Sequence, residues 1–137
     1  MTGSSDPSTT QSPSAPALRR ERKQAAGVTL DCVVAGPEEG ELVVLLHGFP
    51  EHALGWARYI EAFAAAGHHV IAPDQRGYAR SAKPARVADY GLDLLCDDVC
   101  ALIRGAGRER AHVVGHDWGA VVVWWLAHAR DDHLLSA

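Results

Sequence analysis

The sequence is short of cysteine. Its 137 residues include three, Cys32, Cys96 and Cys100. They form no C-x-x-C pair, and an odd number cannot close a disulfide framework. Buried or semi-buried thiols in a reducing cytosol are the expected state, so the chain reads as cytoplasmic. Long apolar runs are missing too. No stretch approaches the ~20 residues of a membrane span. Positive charge is not in excess. The formal net charge is −4, which gives no electrostatic reason to expect nucleic-acid binding. No internal repeat is visible, and neither a metal nor a cofactor is expected. What remains is 47% hydrophobic and 22% charged. That is the composition of one modest soluble domain with a real core.

The first residues, "MTGSSDPSTTQSPSAPA", are rich in Ser, Thr and Pro. They hold too little apolar mass to fold. "RRERK" at Arg19–Lys23 follows, and reads as a solvated charge run. It is no twin-arginine signal, because "QAAG" behind it is not an apolar stretch. Residues 1–26 are therefore expected to be a disordered tail, and residues 27–137 the folded part.

Strands and helices then alternate. Val28–Val34 partly alternates in polarity and suits a strand. Leu42–Leu46 ("LVVLL") is a continuous apolar run, as in a strand buried on both faces. Trp56, Tyr59, Ile60, Phe63 and Ala64 recur on one helical face, and Gly67 closes that helix. His69–Ala72 is a short strand, and "PDQRGYARSAKP" a loop. Leu92, Leu95, Cys96, Val99, Leu102, Ile103 and Ala106 make a second helical face, ended by Gly105 and Gly107. Ala111–Val114 is another buried strand. Trp118 to about Arg130 is apolar nearly all round, which predicts a buried helix. This order predicts an α/β fold with a mostly parallel sheet and flanking helices.

In such sheets ligands bind beyond the carboxyl ends of the strands. Two strand ends there carry notable residues. After Val114 comes Gly115-His116-Asp117-Trp118-Gly119. Glycine two residues before and two after a reactive residue, between strand and helix, is the pattern of a nucleophile elbow. The sharp turn needs both glycines and holds the central side chain out at a helix N-terminus. There the helix dipole keeps a carboxylate ionised, able to attack carbon and form an ester. The competing reading makes Asp117 a helix N-cap. After Leu46 comes His47-Gly48-Phe49-Pro50-Glu51. An elbow takes one oxyanion donor from the N–H after the nucleophile and one from this loop. Those would be the Trp118 and Phe49 N–H groups, with Pro50 able to aim Phe49 through a cis bond.

Together these stretches resemble the α/β-hydrolase superfamily. The match is to its epoxide hydrolase branch, with haloalkane and haloacetate dehalogenases close by. "HGFPE", Trp56, "APDQRGYARSAKP" (Ala72–Pro84) and "GHDWGA" carry the resemblance, over about Val28 to Ala129. It implies Asp117 as nucleophile and Phe49 and Trp118 as backbone oxyanion donors. It implies His47, Gly48, Pro50, Glu51, Gly115, His116 and Gly119 as supports, and Asp74 and Arg76 as a structural loop. The substrate implied is a small hydrophobic electrophile. "HGFPE" resembles epoxide hydrolases, whereas haloalkane dehalogenases tend to have Asn after "HG". Hydrolysis of an epoxide to a diol through an ester on Asp117 is therefore preferred. The alternatives are a haloalkane or haloacetate dehalogenase, or a non-catalytic remnant or binding module.

Two departures qualify the match. Ala79 stands where the family usually has Gly. If that position needs φ > 0, alanine costs on the order of 1 kcal/mol. The base is also missing. Ester hydrolysis needs a His held by a carboxylate, and both follow the nucleophile in this architecture. Only His128 and His133 follow the elbow, and His128 lies three turns down the next helix. Tyr59, Tyr78 and Tyr90 all precede the elbow, so none matches a cap-domain tyrosine. The chain is thus expected to be a truncated hydrolase core, with C-terminal half and cap absent, that does not turn over. Its "AHVV" strand would be an exposed apolar edge, prone to self-association.

Overall fold

A computed structural model describes residues 2–3 and 14–137. These residues form a six-stranded sheet in the order β1-β2-β4-β3-β5-β6. The strands are β1 (Arg19–Gln24), β2 (Thr29–Ala35), β3 (Leu42–Leu46), β4 (His69–Pro73), β5 (Ala111–Gly115) and β6 (Leu134–Ser136). β3 pairs in parallel with β4 and with β5, and β5 with β6. β2 runs antiparallel to both β1 and β4. Three helices flank the sheet: α1 (Ala57–Ala65), α2 (Leu92–Gly105) and α3 (Trp118–Ala129).

The apolar runs explain the centre. Every residue of β3 and β4 is buried, as expected of strands covered on both faces. Alternate residues point to opposite sides. Val44, Leu46 and Ile71 pack with α2 and α3 residues such as Val99, Ile103, Val122 and Leu126. Val43, Leu45, Val70 and Ala72 pack against Ile60 and Ala64 of α1. Trp56 and Phe63 are partly buried there, whereas Tyr59 is exposed and meets the Trp56 ring edge-on at 5.4 Å.

The structure corrects three expectations. Arg19–Lys23 is not a solvated run within a tail. It lies in β1, paired along its whole length with β2. Its side chains are polar, so hydrophobic alternation gives no warning of a strand. Two buried carboxylates supply the reason. Arg20 reaches inward to the Asp31 carboxylate and to Asp74, the latter at 3.1 Å. Residues 1 and 4–13 of the expected tail lie outside the described residues.

The β5 strand is not the outermost edge either. "LLS" adds β6 beside it, but only Ala111 and His112 are paired. Val114 stays 38% exposed. The α3 helix, expected to be buried, is buried on one side only. Val122 and Leu126 face the core while Trp124 is 78% exposed. An apolar groove of about 290 Å³ runs between Val114, Val123 and Trp124.

Candidate active site

Strand register brings the two loops together. Leu46 at the end of β3 pairs with Gly115 at the end of β5. The His116 N–H then donates to the Leu46 carbonyl at 3.1 Å. Both chains therefore leave the sheet side by side.

Asp117 sits at the turn with φ 54° and ψ −120°, and makes no side-chain capping bond to α3. This disfavours the N-cap reading. A non-glycine residue in such a conformation costs ~1–3 kcal/mol, and such strain clusters at functional sites. Glycine makes the turn sterically feasible. A Cβ on Gly115 would lie 2.4 Å from the Gly119 carbonyl. A Cβ on Gly119 would lie 2.1 Å from the Leu46 oxygen. A Cβ on Gly48 would meet the Asp117 Cβ at 2.4 Å, so the first loop must also be glycine where it faces the carboxylate.

The Phe49 N–H donates to Asp117 Oδ2 at 3.0 Å. This bond, and the Trp118 backbone N–H nearby, hold the Asp117 carboxyl below its ordinary range. The side chain is exposed and ionised, with the Phe49 N–H donating to it. The Phe49–Pro50 bond is cis. Glu51 reaches back toward the Gly48 N–H and toward His116 Nδ1, both at 3.5 Å. His116 thus leans away to Glu51 on the outer side of the loop.

His47 is fully buried. Its Nε2 accepts the Gln75 N–H at 2.9 Å, and its Nδ1 lies 2.9 Å from the Gly48 oxygen. Burial pushes its pKa below the ordinary imidazole value, so it is neutral. Asp74 accepts the Ala53 N–H at 2.8 Å and Arg20 at 3.1 Å. Arg76 is buried against Asp98 at 2.8 Å and also donates to the Ala26 and Asp89 carbonyls. Ala79 has φ 43°, the conformation that disfavours alanine. Gln75 carried no distinct signal in the sequence, because its contacts join loops 28 residues apart.

Beside Trp118 lies an open, mainly apolar cavity of about 250 Å³, walled in part by Tyr78, Tyr90, Leu92 and Leu95. Neither later histidine faces the elbow. His128 stacks near Trp125 at 5.7 Å, and His133 Nδ1 lies 3.1 Å from the Glu109 oxygen, just before β5 begins. Among the described residues no group of three His, Cys, Asp or Glu could hold a metal ion. No helix among them is long and apolar enough to cross a membrane.

A family model described as alpha/beta hydrolase fold matches residues 41–137. The chain belongs to the α/β-hydrolase fold family. Within that family it is 51% identical over 98 residues to epoxide hydrolase A of Mycobacterium tuberculosis, covering 72% of this chain and 30% of the relative. It is 50% identical over 108 residues to the AB hydrolase superfamily protein YfhM of Bacillus subtilis, covering 79% and 38%. The crystal structure of epoxide hydrolase A from Mycobacterium thermoresistibile superposes with a TM-score of 0.85 at 42% identity, covering 86% of this chain and 37% of that one. The α/β-hydrolase chain described here thus spans about a third of the length of these relatives.

Proposed function

We propose that this chain carries the nucleophile half of an epoxide hydrolase, with Asp117 as nucleophile. The carboxylate in its strained turn, hydrogen-bonded to the Phe49 N–H, carries this reading. Asp117 Oδ1 attacks an epoxide carbon. The ring C–O bond breaks, its electron pair passes to the ring oxygen, and water supplies the proton. The product is a 2-hydroxyalkyl ester. Oδ2 becomes the ester carbonyl oxygen, already in contact with Phe49. When water adds to that carbonyl, the Phe49 and Trp118 N–H groups stabilise the developing oxyanion. Collapse of this intermediate releases the diol and restores the carboxylate.

The second half needs a base to activate water. His128 and His133 sit away from the elbow, so this chain alone stops at the ester. Epoxide hydrolase names among the relatives and the apolar cavity beside Trp118 support a small hydrophobic epoxide as substrate. Three buried free thiols support a cytoplasmic setting. The apolar groove beside Val114 and Trp124 supports self-association along the short β6 edge.

Intact-mass measurement after incubation with a styrene-oxide-type epoxide tests the reading. One adduct per chain is expected, mapped to Asp117 and absent from Asp117→Asn, with no diol accumulating. An unmodified chain, or an adduct that persists in the variant, overturns Asp117 as nucleophile. Sustained diol formation overturns the single-turnover claim. Reaction with alkyl halides in place of epoxides, with halide release, selects a dehalogenase instead.

A further inference from the structure

A second cavity, of about 240 Å³, opens on the outer side of the first loop. Glu51, Gly55, Trp56, Tyr59 and His116 line it, and it shares no lining residue with the cavity beside Trp118. Pockets for drug-sized ligands run to ~300–1,000 Å³, so this one suits a smaller molecule.

Local sequence builds its walls. A short helical turn, Ala53–Trp56, runs directly into α1. Trp56 and Tyr59 stand three residues apart across that junction, so their rings share one side. The ring centroids lie 5.4 Å apart and the planes cross at 75°, which makes two walls of a corner. Trp56 packs against the α1 side of the core, whereas Tyr59 is exposed. Gly55 leaves the corner open, because a Cβ there would meet nothing within 4 Å.

Charge then decides what fits. An aromatic face is electron-rich and attracts a cation within ~6 Å of the ring centroid. Glu51 adds a full negative charge to the same cavity, and its side chain is 46% exposed. Its one ionic contact among the described residues is His116 Nδ1 at 3.5 Å, and no lysine or arginine lines the cavity. An anion would be repelled by all three groups. A neutral molecule would leave the carboxylate without a partner. A quaternary ammonium suits all three, because it needs no hydrogen bond and is attracted by both rings.

We infer that this corner is a binding site for a small free alkylammonium ion, choline-sized or smaller. Trp56 and Tyr59 supply cation–π contacts, and Glu51 supplies the countercharge. The inference is independent of the epoxide reading, since neither Asp117 nor the apolar cavity takes part in it.

Choline chloride titrated into the full chain at constant ionic strength, followed by nitrogen-15 NMR, tests it. Saturable shifts are expected in the Trp56 indole and Gly55 amide signals. Dimethylbutanol, the uncharged carbon isostere, is expected to bind about tenfold more weakly. Glu51→Gln and Tyr59→Ala are each expected to weaken choline binding by about fivefold. Gly55→Leu is expected to fill the corner and abolish binding while the cooperative melt survives, since its side chain enters open space. No saturable shift at millimolar choline, equal binding of alcohol and ion, or full binding in a folded Gly55→Leu protein overturns the inference. Flotation of the chain with phosphatidylcholine vesicles, without binding of free choline, overturns a free ion as the ligand.

Discussion

The two flanks of the sheet end differently. On the β1 side the last strand is six residues long, and its Arg20 neutralises the buried carboxylates Asp31 and Asp74. On the β6 side the last strand is three residues long, and apolar surface at Val114 and Trp124 is left open. One flank is closed by charge held in fixed geometry. The other is closed by little more than Leu134, which packs partly on the core. The Asp117 turn lies at the end of β5, on the more open side. It keeps its shape because it leans on β3, not on the outer flank. Its contacts run to Leu46, His47 and Phe49. A site can thus be held rigidly by the strand on one side while the strand on the other is barely paired.

Four substitutions and one titration sharpen that contrast. The largest effect is expected at the shared centre. Gly119→Ala places a Cβ 2.1 Å from the Leu46 oxygen. Loss of the cooperative melt, followed by circular dichroism, is the expected outcome. Asp98→Ala comes next. It leaves Arg76 buried without its partner, and urea unfolding should give a loss of about 3–5 kcal/mol. On the closed flank, Arg20→Met is expected to cost about 2 kcal/mol by the same measurement, since Asp74 is fully buried while Arg20 is partly solvated. On the open flank, Trp124→Glu should change stability by no more than about 0.5 kcal/mol. It should instead abolish the self-association proposed for this face, read by sedimentation velocity. A larger stability loss from Trp124→Glu than from Arg20→Met would invert the comparison.

Acidity separates the buried centre from both flanks. Burial holds the His47 and His69 pKa values below the ordinary 6.5. Their neutral forms are favoured in the folded state, so the unfolded chain binds protons first as pH falls. Stability from these rings is fully present above about pH 6.5 and is lost as pH falls below it toward the folded values. Melting temperature measured between pH 7.5 and 5 should therefore fall on the acid side. A flat profile would show that neither ring is held neutral by the fold.

Much of this was legible in the sequence, for physical reasons that differ by residue. The β3 run and the α2 face were readable because strand burial and helical period leave apolar signatures. The strained turn at Asp117 was readable because a sharp turn demands glycines at fixed spacing. Ala79 was readable as a misfit, and its φ of 43° bears that out. β1 was not readable, because its partners are the carboxylates of Asp31 and Asp74, the second 54 residues away. The exposed face of α3 was not readable either, since Trp124 is as apolar as Leu126. The His47–Gln75 contact was invisible because no local pattern marks a bond between two loops.

Arg20 also sets an order in time. The chain emerges amino end first, so Arg20 is made before either of its partners. Asp31 follows within eleven residues, but Asp74 follows only after 54. β2 separates β1 from β4 in the sheet. The first strand can dock on β2 early, yet its guanidinium reaches its second carboxylate only once β4 has joined. The ionic seal on that flank is thus begun over eleven residues of synthesis and completed only after 54.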